Sequence, residues 1–259
     1  MKAIRKFQAR VREYGLAGAI HKTISKATTG SRRNRILKLR HAEDRFTEIY
    51  NSNHWNDLES KSGSGSTIEF TQHLRSELPE FFERHDIKTV LDVPCGDFNW
   101  MKLVIQDTDI VYIGGDIVQP LIDSNTQAFA DEHVSFQKID LTADVLPECD
   151  LLICRDCWIH LSERDILLAL ENIISAKIPR TLVTSNGMPT GPRLENRDIP
   201  TGDMRPIDLF SKPYGLDFEA VEILDDSSAD GTSQRCMPVL TLDEAKKMRD
   251  RIAEHLELD

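Results

Sequence analysis

With 259 residues, 40% hydrophobic and 29% charged, the chain can bury the core of one large α/β domain or two small ones and has the balance of an ordinary soluble globular protein. No apolar run approaches the roughly 20 residues of a membrane-spanning helix, and GLAGAI at 15–20 is too short and too weak for a secretory signal, so a cytoplasmic setting is expected. The formal charge of −11 disfavours a nucleic-acid partner, because binding a phosphate backbone needs basic surface.

The charge is unevenly spread. Residues 1–41 form a basic N-terminal arm in which Glu13 is the one acid, read first as a solvated tail or a helical arm docked on its own acidic body. Contact with nucleic acid, an anionic membrane surface or an acidic glycan is the other use open to it. Residues 42–88 read as a helical cap carrying a Ser/Gly loop, and 89–259 as the main domain.

In chain order, Ala42–Tyr50 reads as a helix that exits into a loop at Asn51–Trp55. SKSGSGS at 60–66 is low in complexity and flexible in isolation. Ile68–Phe82 has helical spacing, with an interruption expected near Pro79. Strands and helices then alternate: strand 89–93, helix 100–105, strand 110–115, helix 120–133, strand 134–139, strand 151–154, helix 163–176 and strand 180–185. Ser162 and Asp165 have the spacing of a helix-capping pair, and Ile166, Leu167, Leu170, Ile173 and Ile174 share one face. The runs 218–224 and 235–242 have no helix between them and carry a turn signal at Asp230-Gly231, so they should pair as a hairpin. Pro238 counts against a fully regular last strand, and a helix over 242–256 closes the chain. The fold class is α/β: one Rossmann-like domain whose mostly parallel seven-stranded sheet ends in an antiparallel hairpin.

The five cysteines are odd in number and mostly set among strand residues, which suits buried reduced thiols. Cys154 and Cys157 make a C-x-x-C without the second ligand pair a zinc site needs, and no metal is expected.

In such sheets the ligand lies beyond the carboxyl ends of the strands. Those positions are Asp92 to Asp97, Asp116, Asp140, Arg155 to His160, and Ser185-Asn186. Carboxylates crowd this edge, whereas a pyrophosphate wants backbone N–H groups and basic side chains without nearby anions. VLDVPCGDFNWM at 90–101 also lacks the G-x-G-x-x-G of dinucleotide sites. Acids suit a ligand rich in donors, and S-adenosylmethionine offers an ammonium, ribose hydroxyls and an exocyclic amine with no phosphate.

LDVPCGDF resembles the glycine-rich first loop of class I S-adenosylmethionine-dependent methyltransferases, with Asp92 at the acidic position, Gly96 at the central glycine, and Pro94 and Phe98 in place of the outer two. Together with WNDLESKSGSGS, YIGGDI, DLLICRDCWIHL and RPIDL, it resembles a bacterial subgroup of small methyltransferases of mostly unassigned substrate. The resemblance implies that Asp92, Pro94, Cys95 and Gly96 line the methionine part of the cofactor, that Asp116 and Ile117 meet the ribose, and that Asp140 and Leu141 face the adenine. For Asp116 a helix N-cap, and for Asp140 a plain loop acid, are the structural readings; Asp97 could simply favour a helix start. The resemblance also implies that the Ser/Gly loop, with Ser64, closes over the cofactor near its carboxylate, against a plain flexible linker; that Trp55 stacks on or caps the ligand, with packing as the alternative; and that Arg155, after the fourth strand, stands where the family places residues between cofactor and acceptor.

Asp156 and His160, four apart, would share a face of a helical turn. His160 is the candidate general base, with Asp156 orienting it or binding the acceptor, against a reading of both as structural. The Pro- and Gly-rich segment 186–205 reads as a substrate lid, with Asn186, Arg193 and Arg205 as acceptor-binding residues. The expected activity is O-methylation of a small polar metabolite or a sugar or glycan hydroxyl, with nitrogen and carboxylate acceptors left open. The competing readings are a nicotinamide-dependent oxidoreductase, disfavoured by the missing glycines and the hairpin, and a non-catalytic binding protein on the same scaffold.

Overall fold

The computed structural model describes residues 30–257 apart from Asp107, so most of the basic arm lies outside the described residues. Seven strands, β1 (Thr89–Asp92), β2 (Val111–Asp116), β3 (Val134–Lys138), β4 (Leu151–Cys154), β5 (Arg180–Val183), β6 (Ile223–Asp225) and β7 (Cys236–Thr241), form one sheet in the order β3-β2-β1-β4-β5-β7-β6. The first five are parallel, and β7 runs antiparallel to both β5 and β6. The order reverses between β1 and β4, and this is where a doubly wound sheet opens its ligand crevice.

Alternation along the strands divides the core in two. Leu91, Leu152, Cys154 and Val183 face a layer containing Ile166, Leu170 and Ile173 of α6 (Glu163–Ser175) and Met248 and Ile252 of α7 (Leu242–Glu257). Val90, Leu151, Ile153 and Leu182 face α3 (Gln72–Arg84), α4 (Lys102–Ile105) and α5 (Gln119–Phe129). The α6 cap is as expected: the Ser162 hydroxyl accepts from the Asp165 N–H.

Some boundaries differ from the expected ones. Helix α3 runs through Pro79, because Leu74, Leu78, Phe81 and Phe82 are all buried on one face and their packing outweighs a helix-breaking cost of about 3 kcal/mol. Helix α5 stops at Phe129, where Asp131 accepts from the N–H groups of His133 and Val134 and turns the chain into β3. Strand β6 starts only at Ile223, since the Phe218 ring is drawn against Phe210. Pro238 sits within β7 and pairs with Ile223 on the β6 side; the β5 ladder ends at Leu182–Val239 and resumes at Ser185–Cys236, as a residue without an N–H requires.

Before the sheet come α1, whose described part covers 30–36, and α2 (Ala42–Asn51). Ile36 is buried, Arg33 pairs with Asp203 and Arg35 with Glu48, so this end of the basic segment lies docked against acids of the body. Among the described residues no helix is long and apolar enough to cross a membrane, and no cluster of side chains could hold a metal ion.

Candidate active site

A cavity of about 410 Å³ opens at the carboxyl ends of β1, β2 and β4, roofed by α2 and the Ser/Gly loop. Asp92, Pro94, Cys95, Gly96, Asp116, Ile117, Asp140, Leu141, Arg155, Asp156, His160 and Trp55 all line it. Ser64 does not; its neighbours Ser62 and Ser66 do.

The turn after β1 explains the sparse glycines. Gly96 has φ +54°, and a Cβ there would lie 2.3 Å from the Ser62 hydroxyl oxygen, so this glycine lets the Ser/Gly loop close onto the turn. Phe98 also has positive φ, and its buried ring packs against Tyr112, Phe129 and Phe136 rather than lining the cavity. Asp97 stands well before α4 and instead grips the loop, accepting from the Ser60 hydroxyl at 3.0 Å and the Lys61 N–H at 2.8 Å.

Two carboxylates lie at the floor. Asp92 is buried and accepts the Tyr112 hydroxyl at 2.7 Å; burial pushes its pKa up to about 7, against the Tyr112 hydroxyl and Arg155, which favour the anion. Burial likewise raises Asp116 to about 6, although it accepts from backbone N–H groups including that of Val118 at 3.0 Å. Thus Asp116 supports the entry to α5 while still facing the cavity. Asp140 accepts from the N–H and hydroxyl of Thr142, a local turn that leaves it on the cavity wall.

His160 ends a short 3₁₀ turn, Trp158–His160. Its ring lies 4.9 Å from that of Trp55 and edge-on to Phe46. Nδ1 is 2.8 Å from the Asp203 carbonyl oxygen. A carbonyl only accepts, so Nδ1 carries the proton and Nε2 of the neutral ring keeps its lone pair. Burial pushes the pKa below 6.5, opposed by Asp203, which keeps the ring neutral near pH 7.

Asp156 lies beside His160 and its charge acts on the ring, but its hydrogen bonds go elsewhere. It has φ +53°, outside any helical turn, and binds Arg235 at 2.9 and 3.1 Å. Burial opposes its ionisation, but Arg235 and Arg155 outweigh burial and hold its pKa below the usual value. The His160 ring is oriented by the Asp203 carbonyl, from a segment 43 residues away.

The three residues expected to read the acceptor lie off the cavity wall. Asn186 is occupied by the Ile207 N–H. Arg193 donates to the Met188 and Pro189 carbonyls and lies over Phe210 and Phe218. Arg205 is fully buried, donating to the Trp158 carbonyl and the Tyr214 hydroxyl. Of the same segment, Thr201 does reach the cavity. Sequence reasoning missed Phe46, Ile49 and Tyr50 of α2, which also line it; their i, i+3, i+4 spacing was a usable signal of an inward apolar face.

Neither protein-family models nor curated sequences give a match to this chain. Solved structures do. PigF, solved with SAH, aligns at 15% identity over 76% of this chain and 61% of its own, with a TM-score of 0.53. LaPhzM aligns at 15% over 66% and 55% (TM-score 0.48), and human N-acetylserotonin methyltransferase in complex with SAM at 17% over 74% and 58% (TM-score 0.47). The chain therefore spans about three fifths or less of the length of each. At these identities the likeness is one of fold: the chain has the Rossmann-like, class I methyltransferase fold, with the terminal antiparallel hairpin in place.

Proposed function

We propose that this chain is an S-adenosylmethionine-dependent methyltransferase that methylates a hydroxyl of a small polar metabolite, sugar or glycan. The observation that carries the reading is the pair Asp92 and Asp116, buried carboxylates at the carboxyl ends of β1 and β2, beside the switch point, whose burial resists ionisation. A cationic, hydroxyl-rich nucleoside relieves that resistance, whereas a pyrophosphate would add to it.

The donor set fits such a cofactor: Asp92 and the Gly96 turn suit an ammonium, Asp116 a ribose diol, and Asp140 with Ile117 and Leu141 an adenine. When bound, the cofactor supplies an electrophilic methyl group on a sulfonium. The chain's own part is orientation, exclusion of water and removal of one proton. Trp55, Phe46 and Tyr50 shield the cavity with aromatic surface, and His160 Nε2 would accept the proton of the acceptor hydroxyl when its oxygen takes the methyl group, the sulfonium–methyl bond breaking to leave a neutral thioether. The Nδ1–Asp203 contact supports this assignment because it fixes the tautomer the step requires.

Calorimetric titration with S-adenosylmethionine, S-adenosylhomocysteine and NAD tests the reading. Micromolar binding of the first two without NAD is expected; NAD binding alone would overturn it. Transfer of labelled methyl to a panel of hydroxylated metabolites and glycans then separates an enzyme from a binding protein.

A further inference from the structure

Beneath the Ser/Gly loop lies a group of charges drawn from two distant parts of the chain, the end of β4 and the terminal hairpin. Asp226, just after β6, is fully buried. It accepts from Arg155 Nε at 3.0 and 3.1 Å and pairs with Arg235 Nε at 2.9 Å. Arg235 extends to Asp156, so two cations and two anions balance. The Phe70 ring covers both guanidinium groups, at 4.4 Å from Arg235 and 5.8 Å from Arg155, while Trp100 lies 5.2 Å from Arg155.

From this group Arg155 reaches the loop: its Nη2 donates to the Gly65 carbonyl at 2.7 Å. Gly65 rests directly on the network, since a Cβ there would come 3.0 Å from Asp156 Oδ2. The loop is thus held at both ends. Asp97 grips Ser60, Lys61 and Ser62 in front, and Arg155 grips Gly65 behind, leaving Ser62 and Ser66 on the cavity wall. Well-packed apolar residues serve stability as well as a buried ion network does, whereas removing one partner leaves an uncompensated charge. The network's distinctive property is its geometry.

We propose that Asp226 is a positioning residue for the cofactor: it locks the Arg155 guanidinium so that Arg155 holds the rear of the Ser/Gly loop closed over the cavity. This rests on the S-adenosylmethionine reading of that cavity. It makes the terminal hairpin, remote in sequence from every cofactor residue, part of the binding machinery.

The test is Asp226→Asn, nearly isosteric but without the charge, with Phe70→Leu as a milder variant that leaves all four charges in place. Calorimetry should show S-adenosylhomocysteine binding weakened about tenfold in the first and about threefold in the second. Hydrogen exchange should rise across residues 60–66 with the amides of β1 and β4 still protected, a pattern that general destabilisation would not produce. If Asp226→Asn fails to fold, Phe70→Leu carries the decision. Affinity within twofold of wild type together with unchanged exchange at 60–66 would overturn the proposal. Should the wild-type protein not bind S-adenosylhomocysteine, the cofactor reading falls, and loop exchange without ligand still decides whether Asp226 closes the loop.

Discussion

The two halves of the cavity are built on different principles. On the β1–β3 side, Asp92, Asp116 and Asp140 follow directly from their strands, and their partners lie nearby or on the adjoining strand: Tyr112 on β2, Val118, Thr142. On the β4 side, Arg155, Asp156 and His160 take partners from Asp226, Arg235 and Asp203, at separations of 71, 79 and 43 residues. Backbone geometry sets the first half, and long-range pairing of charges and carbonyls sets the second. Changes to the first should therefore act on cofactor affinity alone, and changes to the second on what happens to a bound cofactor or on how the loop closes over it.

The largest effect is expected in the second half. His160→Ala should lower turnover by about a hundredfold or more, the range of a lost general base, while S-adenosylhomocysteine affinity by calorimetry stays within about threefold. Turnover that survives the change would sink the base assignment. Next, Asp92→Asn should weaken S-adenosylhomocysteine by about a hundredfold, the cost of removing one partner of a buried charge pair, with the fold intact by circular dichroism.

A pH series sharpens the contrast. Because Asp92 and Asp116 are raised to about 7 and about 6, they hold protons below those values and must release them to meet an ammonium and its nucleoside. Cofactor affinity should fall by about tenfold between about pH 8 and about pH 6, and Asp92→Asn should flatten the profile. Burial acts on His160 in the opposite direction: its pKa is depressed below 6.5, so turnover at saturating cofactor should decline only below that pH. The smallest effect is assigned to Arg193→Ala. Its guanidinium is satisfied by carbonyls and stacked on Phe210 and Phe218, so kcat/KM should stay within about twofold; a larger loss would return the 186–205 segment to the acceptor site.

The same contrast governs what could be read from sequence. Strand ends are legible because apolar runs stop abruptly at them, which placed Asp92, Asp116, Asp140 and His160 on one edge. Which serines of the Ser/Gly loop line the cavity was not legible, because a low-complexity loop has no period to set its register; only the approach of Ser62 to Gly96 defines it. The arginines of 186–205 read as ligand-binding because composition cannot show which donors turn inward to other parts of the chain. Arg205 is buried on carbonyl and tyrosine oxygens, and its role was invisible until Trp158 and Tyr214 were brought beside it. Phe98, in place of a glycine, proved to be a core residue of the turn.

Local periodicity and turn chemistry by themselves determined the alternating elements, the parallel sheet, the closing hairpin and the acids at its carboxyl edge, because each depends on residues a few positions apart. Tertiary structure alone decided which tautomer His160 adopts, which cation Asp156 meets and what holds the Ser/Gly loop. A hydrogen bond or ion pair is specified by distance in space, and no local pattern records that Asp226 and Arg155 will meet.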